Sequence, residues 1–153
     1  MDYSIRLLSG REEADILRNF LSKFPLDYPD YFSWLDRCRP ELESGQKKAY
    51  YAYRSDSGIV GSIIFQVHKQ QSHILEVKNL RVAQEFRGNG IGSVLEFMAE
   101  HYGRESGLKE IQADTHVDNR EAISFLVKMG YYVLGRQCLY TNSREEMVLS
   151  KPL

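Results

Sequence analysis

The sequence predicts an α+β fold, with a mixed sheet that carries helices on both faces. Three consecutive segments that alternate apolar and polar residues are joined by short polar turns, which is typical of an antiparallel meander. Further along, strand and helix patterns alternate twice, and strand–helix–strand units of this kind pair their strands in parallel. The predicted order is β-α-α-β-β-β-α-β-α-β-β, in one domain over residues 1–153. A chain of this length can bury a core without disulfides or metals.

The N-terminal part of the chain predicts one strand and two helices. Tyr3–Leu8 alternates as a strand, and Ser9 with Glu12 three residues later is typical of a capping box at a helix start. Pro29 is expected to open the second helix, and Pro40 to limit its length. The residues expected to face inward are Ile16, Leu17, Phe20, Leu21 and Phe24 in the first helix, and Tyr31, Leu35 and Cys38 in the second.

The middle of the chain predicts the meander. Its strands are expected at Lys48–Arg54, Ile59–His68 and His73–Val82. Polar turn residues stand between them at Ser55–Gly58 and Lys69–Ser72. This arrangement places the end of the third strand directly before the most distinctive stretch of the sequence.

The C-terminal part predicts two helices and three strands. The strands are expected at Lys109–His116, Tyr131–Tyr140 and Glu145–Ser150, and Asp118 or Asn119 is expected to cap the helix between the first two. Both helices show the 3.6-residue hydrophobic period. The positions expected to face inward are Ile91, Val94, Leu95, Met98 and Tyr102 in the first of them, and Ala122, Ile123, Leu126 and Met129 in the second.

The stretch Leu80–Ser93 joins a strand to a helix through a glycine-rich turn. Gly88, Gly90 and Gly92 stand where the helix begins, and Arg87 precedes them. Backbone N–H groups at a helix N-terminus lack intrahelical partners, and glycine lets a phosphate approach them. An arginine adds a planar, charged donor for phosphate oxygens. These residues predict a loop that binds a pyrophosphate group.

Two common phosphate-binding patterns do not fit this loop. The P-loop requires Lys followed by Ser or Thr after its last glycine, where this chain has Ser93 and Val94. The dinucleotide-binding fingerprint requires a third glycine at the position of Ser93, and a strand near the start of its unit. The loop therefore calls for a different pyrophosphate ligand.

Val82 followed by the sequence RGNGIG at Arg87–Gly92 resembles the acetyl-CoA-binding signature R/Q-x-x-G-x-G/A of the GCN5-related N-acetyltransferases (GNAT family). A second stretch, Asn119–Tyr131, resembles the later motif of that family, in which an Asn, an Ala and a Lys-x-Gly-aromatic ending recur on a short helix. Two motifs in this order, about thirty residues apart, are more specific than either motif alone. The resemblance implies a GNAT-like mixed, largely antiparallel twisted sheet flanked by helices.

The resemblance implies an enzyme that transfers an acetyl group from acetyl-CoA to a primary amine, by direct attack in a ternary complex. Because the amine is protonated at neutral pH, a base must act first. By resemblance that base is Glu76, whereas a solvated strand carboxylate is the alternative reading; His116 is another candidate base. Backbone N–H groups near Leu80–Val82 would pair with the pantetheine arm and stabilise the oxyanion. The implied cofactor contacts are Leu80, Arg81, Val82, Arg87, Gly88, Asn89, Gly90, Ile91, Gly92, Ser93, Asn119 and Leu126.

Leu126 departs from the family pattern. Seven residues after the motif Asn119, the family usually has a tyrosine that protonates the departing thiolate. The residues that could replace it here are Tyr131, Tyr132, Tyr140 and Cys138. A thiol with a pKa near 8.5 can also leave as the anion. The departure keeps open a second function, a catalytically silent acyl-CoA-binding regulatory module, and a third, a phosphate-binding turn for another nucleotide.

The resemblance places the acceptor at the connection between the two N-terminal helices, in the aromatic-rich stretch Phe24–Trp34. Tyr28 and Tyr31 are the expected acceptor contacts, and Asp27 and Asp30 could attract a cationic amine. In the alternative reading, the aromatic rings pack onto the sheet and the aspartates serve the turn and the helix cap.

Composition limits the partners. The 20 basic and 21 acidic residues give a net charge of −1, which argues against nucleic acid as the main partner. No apolar run is long enough for a membrane span, and the N-terminus lacks a signal-peptide layout. Cys38, Cys138 and the four histidines show no metal-ligand spacing, so we expect no metal and a reduced, cytoplasmic protein. We expect a small-molecule or peptide amine as acceptor, and a homodimer is possible through pairing of Tyr131–Leu149.

Overall fold

The computed structural model describes residues 1–27 and 29–153, and its elements follow the predicted order. The strands are β1 (Ser4–Leu7), β2 (Lys48–Arg54), β3 (Gly58–Val67), β4 (Ile74–Val82), β5 (Glu110–His116), β6 (Tyr132–Thr141) and β7 (Arg144–Pro152). The helices are α1 (Gly10–Lys23), α2 (Tyr31–Ser44), α3 (Ile91–Glu105) and α4 (Arg120–Lys128). A short 3₁₀ turn at Gln84–Phe86 follows β4. The predicted α+β fold class is confirmed.

The strands form one seven-stranded sheet in the order β1-β2-β3-β4-β5-β7-β6. β1 pairs with β2, and β2 with β3, in antiparallel fashion. β4 and β5 pair in parallel through Ile74–Val77 and Glu110–Ala113, as a strand–helix–strand crossover requires. β7 pairs antiparallel with both β5 and β6, so it lies between them. The mixed sheet is confirmed, whereas the insertion of β7 between its neighbours was not predicted.

The chain divides into two compact units. The first comprises Met1–Gln66 and Lys78–Ala99, and the second comprises Val67–Val77 and Glu100–Leu153. Strand β4 and helix α3 each contribute residues to both units. The prediction of one domain over residues 1–153 stays a prediction.

The first unit carries helices on both faces of its strands. Ile64 of β3 belongs to a buried cluster with residues of α1 and α2. Gly61, three positions earlier and therefore on the opposite face, contacts Ile91 and Leu95 of α3. The two N-terminal helices and α3 thus sandwich β3 between them.

Helix α1 buries a stripe that differs in part from the predicted one. Ala14, Leu17, Phe20 and Leu21 are buried, whereas Ile16 is 47% exposed, so its inward placement was wrong. Ser9 is the N-cap residue, but its side chain makes no capping hydrogen bond, and the predicted capping box is therefore wrong as well. The helix is held by its buried stripe, since packing outweighs the contribution of a single cap.

Helix α2 passes through Pro40 and ends at Ser44, so the prediction that Pro40 limits it was wrong. A proline inside a helix costs about 3 kcal/mol because it removes one backbone hydrogen bond. Leu35, Cys38 and Leu42 continue one buried stripe across the proline, and this burial offsets the cost. Pro29 does not open the helix either, because Asp30 is the N-cap residue and lies in the left-handed region at φ 55°.

The second unit has helices on one face of its sheet. A Cβ atom at Gly103 of α3 would meet Leu153, and one at Gly130 after α4 would meet Lys151. Lys151 lies in β7 and Leu153 stands two residues later, so both helix ends face the same side of the strand. The apolar residues of that side, Ile111 and Leu149, are fully buried.

Within residues 1–27 and 29–153, no helix has the length and apolarity that a membrane crossing requires.

Candidate functional site

The glycine-rich loop connects the end of β4 to the start of α3, as predicted. Gly88 and Gly90 have φ angles of +81° and +78°, in the region that favours glycine. A Cβ atom at either position would meet no atom within 4 Å, so backbone conformation rather than crowding requires glycine there. Left-handed residues in such a loop turn backbone N–H groups toward a common point, which is an anion-binding arrangement. Gly92 already lies within the first turn of α3.

The N-terminus of α3 adds to this arrangement. Its first intrahelical hydrogen bond runs from the Val94 N–H to the Gly90 carbonyl across 3.1 Å. The preceding N–H groups of Ile91, Gly92 and Ser93 therefore belong to the part of a helix that lacks carbonyl partners. The first turn contains no acidic residue, so no side-chain charge opposes an anion there. The loop and the helix end together fit a phosphate or pyrophosphate group.

Two exposed side chains hold the loop in shape. Asn89 Nδ2 donates to the Phe86 carbonyl across 3.0 Å, and Arg87 Nε donates to the Val82 carbonyl across 3.2 Å. Both bonds run back to residues before the glycines, which fixes the loop against the end of β4. The Arg87 bond uses Nε alone, so the guanidinium keeps its terminal N–H donors for a ligand.

Gly61 of β3 lets the start of α3 pack closely against the strand, a contact that the sequence analysis did not predict. A Cβ atom at this position would lie 3.1 Å from Ile91 Cγ2 and 3.3 Å from both the Arg81 carbonyl and Leu95 Cδ1. Ile91 was predicted to contact the cofactor, but its side chain is buried, so only its backbone can make such a contact. The signal was a glycine inside a strongly apolar strand pattern, which often marks a close approach.

The second half of β4 is tied to the N-terminal helices. Arg81 Nε donates to the Phe24 carbonyl across 3.0 Å, so its side chain is directed to the connection between α1 and α2. Asn79, which is buried, donates to the Tyr31 hydroxyl across 3.2 Å. Neither link was predicted. They fix the connection between α1 and α2 to the strand that precedes the glycine-rich loop.

Tyr31 lies in the core, although it was expected to contact the acceptor. Its side chain is 4% exposed, and its hydroxyl donates to the Leu21 carbonyl across 3.4 Å. Burial raises the pKa of Tyr31 above its usual value, against a smaller lowering by the hydrogen bond from Asn79. This placement agrees with the alternative reading, in which the aromatic residues pack. Tyr28, the other expected acceptor contact, lies outside the described residues.

The ladder between β4 and β5 is short. It extends over the four pairs from Ile74–Glu110 to Val77–Ala113, whereas β5 continues its pairing with β7 to His116. Leu80 and Val82, the expected contacts of the pantetheine arm, follow the point where this ladder stops and are partly exposed. Glu76 lies within the ladder, opposite Gln112, and is also partly exposed.

The later motif lies in the second unit, where Asn119 caps α4 as expected. Its Oδ1 accepts a hydrogen bond from the Ala122 N–H across 3.1 Å. Leu126, at the position where a family tyrosine was expected, is 6% exposed. The side chain of Leu126 therefore packs in the interior and offers no proton donor.

His116 is poorly arranged to act as a base. Its Nδ1 accepts a hydrogen bond from the Asp118 N–H across 3.3 Å. This hydrogen bond occupies the lone pair of Nδ1. The Asp118 carboxylate stands 3.8 Å from the same nitrogen.

The candidate replacements for the missing tyrosine differ in burial and in their partners. Tyr140 donates its hydroxyl proton to Asp114 Oδ2 across 2.8 Å. Tyr131 is buried, whereas Tyr132 and Cys138 are exposed on β6. The predicted residues thus fall into two groups, with the glycine-rich loop and the end of β4 in the first unit, and Glu76, Asn119 and Leu126 in the second.

Among residues 1–27 and 29–153, no group of three or more His, Cys, Asp or Glu side chains is arranged to hold a metal ion.

Comparison with known proteins agrees with the fold. The family described as the acetyltransferase (GNAT) family matches residues 14–131. A mycothiol acetyltransferase from Rhodococcus jostii is 26% identical over 143 residues, which cover 85% of this chain and 46% of that protein. The chain therefore spans less than half the length of this curated relative.

Solved structures share the architecture at low identity. A structure assigned to the GNAT family of acetyltransferases, from Desulfovibrio desulfuricans, superposes with a TM-score of 0.85 at 13% identity and covers 99% of both chains. PaiA N-acetyltransferase from Thermoplasma acidophilum, solved in complex with coenzyme A, superposes with a TM-score of 0.73 at 20% identity and covers 100% of both chains.

Proposed function

This chain belongs to the acetyltransferase (GNAT) family, and on that basis we propose that it transfers the acetyl group of acetyl-CoA to a primary amine by direct attack within a ternary complex. The observation that carries the proposal is the pair of left-handed glycines, Gly88 and Gly90, at the N-terminus of α3. Acetyl-CoA supplies an activated thioester, and the protein must hold its pyrophosphate, align its arm and deprotonate the amine.

The loop is the pyrophosphate site. Backbone N–H groups from Gly88 to Ser93 and the positive end of the α3 dipole favour an anion. Arg87 directly precedes Gly88 and contributes a guanidinium, which matches phosphate oxygens in shape and charge. In this proposal the backbone N–H groups and Arg87 balance the charge of the pyrophosphate, so the site does not require a metal ion.

The pantetheine arm pairs with β4. Such an arm carries amide groups, which bind well to a strand edge because they mimic a neighbouring strand. The end of the ladder with β5 at Val77 is consistent with this use of Leu80 and Val82. A backbone N–H of the same segment faces the thioester oxygen as negative charge builds on it. By family resemblance, Asn119 aligns the arm while it caps α4.

Glu76 is the base. An ordinary amine is almost fully protonated at neutral pH, so a carboxylate near the reacting nitrogen raises the rate by accepting its proton. Glu76 is partly exposed on the strand that precedes the loop, which lets a proton reach it directly or through water. His116 is less suited because its Nδ1 already accepts the Asp118 N–H.

The thiolate of coenzyme A leaves without a dedicated acid. Leu126 has no proton to donate, and the Tyr140 hydroxyl already donates its hydrogen bond to Asp114. A thiol with an ordinary pKa near 8.5 is a tolerable leaving group as the anion, so a general acid helps but is not required.

The acceptor is a small-molecule or peptide amine that enters near the connection between α1 and α2, where Asp27 and Asp30 are exposed and attract a cation.

A second function follows from Leu126. A chain that binds acetyl-CoA but lacks turnover would serve as an acyl-CoA-dependent regulatory module. One experiment separates the two functions: release of the coenzyme A thiol is followed over a panel of amines that includes polyamines, aminoglycosides, amino acids and peptides. Release that depends on one class of amine supports the transferase. Tight acetyl-CoA binding with no release from any amine would favour the module instead.

A further inference from the structure

Arg81 lies near the end of β4, and its side chain reaches the end of helix α1. Its Nε donates a hydrogen bond to the Phe24 carbonyl across 3.0 Å, and its Nη2 donates to the Pro25 carbonyl across 3.4 Å. A guanidinium presents its donors in a rigid planar fork, so one side chain can bind two consecutive carbonyls. Arg81 therefore fixes the main chain at the point where it leaves α1.

The Phe24 carbonyl belongs to a helix end, where acceptors lack partners. Helix α1 ends at Lys23, and Phe24 is its C-cap residue. The last carbonyls of a helix make no intrahelical hydrogen bond, and the helix dipole places partial negative charge on them. The positive charge of Arg81 suits this position. It fixes the direction in which the chain enters the connection between α1 and α2.

A second side chain of β4 holds the other end of this connection. Asn79 precedes Arg81 by two residues, so both side chains point to the same face of the strand. Asn79 Nδ2 donates to the hydroxyl of Tyr31, the first residue of α2, across 3.2 Å. One face of β4 thus holds the chain both before and after the connection. The described residues between these two anchors are partly or fully exposed: Leu26, Asp27, Pro29 and Asp30.

We propose that Arg81 is a positioning residue for the acceptor amine, and that its hydrogen bonds to Phe24 and Pro25 set the affinity for that amine. The inference rests on the proposed function, in which the amine enters near the connection between α1 and α2. A segment that is held in place before its ligand arrives loses less conformational entropy on binding. Arg81 acts through this segment rather than through contact with the amine.

The direction of the side chain distinguishes this role from a cofactor contact. The guanidinium is bound to the carbonyls of Phe24 and Pro25 at the end of α1. Leu80 and Val82, on either side of Arg81, keep the role proposed for them on the pantetheine arm. Loss of the Arg81 side chain should therefore weaken the binding of the amine and leave the affinity for acetyl-CoA unchanged.

Two variants and a control test this role. Arg81→Met keeps the apolar stem and removes the donors, whereas Arg81→Lys keeps the charge without the planar fork. Arg81 is partly exposed, and hydrogen bonds that exchange with water contribute modestly to stability, so both variants should fold. Arg37→Met is the matched control, because Arg37 is exposed on α2.

The first measurement is the kinetics of thiol release with an amine that the natural chain turns over. We expect Arg81→Met to raise KM for the amine at least 10-fold and Arg81→Lys to raise it less. For both variants kcat and the Kd of acetyl-CoA should stay within two-fold of the natural chain, as should every value for Arg37→Met. An unchanged KM for the amine in Arg81→Met overturns the inference, and so does a loss of affinity confined to acetyl-CoA.

The second measurement does not depend on turnover. Lys23 is exposed and directly precedes Phe24, so trypsin cleaves after it when the end of α1 opens locally. We expect this cleavage to be at least five-fold faster in Arg81→Met, with an unchanged urea midpoint, and unchanged in Arg37→Met. A cleavage rate equal to that of the natural chain overturns the role of Arg81. A natural chain that binds acetyl-CoA but releases no thiol with any amine contradicts the proposed function instead, so the two failures are distinguishable.

Discussion

The side-chain amide of Asn79 donates a hydrogen bond to the hydroxyl of Tyr31 across 3.2 Å, which ties β4 to the first turn of α2. Both residues are buried, and the Oδ1 atom of Asn79 has no hydrogen-bond partner among the described residues. The Tyr31 hydroxyl is therefore the main polar contact of a buried amide. It holds the start of α2, the helix that follows the proposed acceptor connection, against the strand that leads to the glycine-rich loop.

Tyr31→Phe should destabilise the protein by about 1–3 kcal/mol, because it leaves the buried Asn79 amide donor without its partner. Urea denaturation measures the loss. Tyr132→Phe is the control, since Tyr132 is half exposed and its hydroxyl is replaceable by water; its stability should change by less than about 0.5 kcal/mol. Equal stability of Tyr31→Phe and the natural chain would contradict the structural role given to this pair.

Gly61→Val should lower both stability and acetyl-CoA affinity. The added side chain would meet Ile91, Leu95 and the Arg81 carbonyl at 3.1–3.3 Å, so the start of α3 must shift away from β3. Overpacking of this kind costs about 1–3 kcal/mol. Thermal melting and calorimetric titration measure the two effects. Gly135→Val is the control, because a Cβ atom there meets no atom within 4 Å. If Gly135→Val weakens acetyl-CoA binding equally, the packing of α3 against Gly61 is not the cause of the weaker binding.

Glu76→Gln should lower kcat/KM by about 10²–10⁴-fold for any amine that is turned over, because the amide cannot accept the proton. The affinity for acetyl-CoA should not change, since the role concerns the amine. The rate of the variant should rise with pH as free amine accumulates. Glu145→Gln, an exposed position on β7, serves as the control. A rate within two-fold of the natural chain would remove Glu76 from the mechanism.

Cys38 should make stability fall at alkaline pH. Burial is the main cause that raises the pKa of this thiol from 9.0 to about 12, opposed by the nearby Lys47. Above pH 9 the unfolded chain releases the proton while the folded chain keeps it, so each pH unit up to about 12 removes about 1.4 kcal/mol of stability. Other groups titrate in this range, so the test compares the natural chain with Cys38→Ala in reducing buffer. The difference between their unfolding free energies should shrink as pH rises; parallel curves would contradict the assignment.

The sequence predicted the elements well where one hydrophobic period dominates. β2 was predicted with the bounds that the structure has, and Asn119 was identified as the cap of α4. Predictions failed where tertiary contacts outweigh a local signal. Pro40 is a strong helix breaker by propensity, yet the buried stripe on either side of it carries the helix through. Val94 was expected to face inward from its spacing, but it is 37% exposed.

The site was predictable only where it depends on local backbone geometry. Glycines before a helix indicate an anion-binding loop because the left-handed conformation and the helix end are both local features. Asn79 gave no comparable signal, and the glycine within the apolar pattern of β3 could not indicate which helix approaches Gly61, because both roles depend on which helices pack on which face of the sheet. The burial of Tyr31 follows from the same packing. Spacing could not place β7 between β5 and β6 either, since strand order is a property of the whole sheet.

The most direct test of the account is calorimetric titration of acetyl-CoA into the natural chain, Gly90→Trp and Gly107→Trp. Gly90 and Gly107 have φ angles of +78° and +77°, and a Cβ atom at either meets no atom within 4 Å, so the two substitutions impose the same backbone strain. We predict micromolar, one-to-one binding for the natural chain and Gly107→Trp, and at least 100-fold weaker binding for Gly90→Trp. No binding to the natural chain, or unchanged affinity of Gly90→Trp, would contradict the assignment of the loop as the acetyl-CoA site.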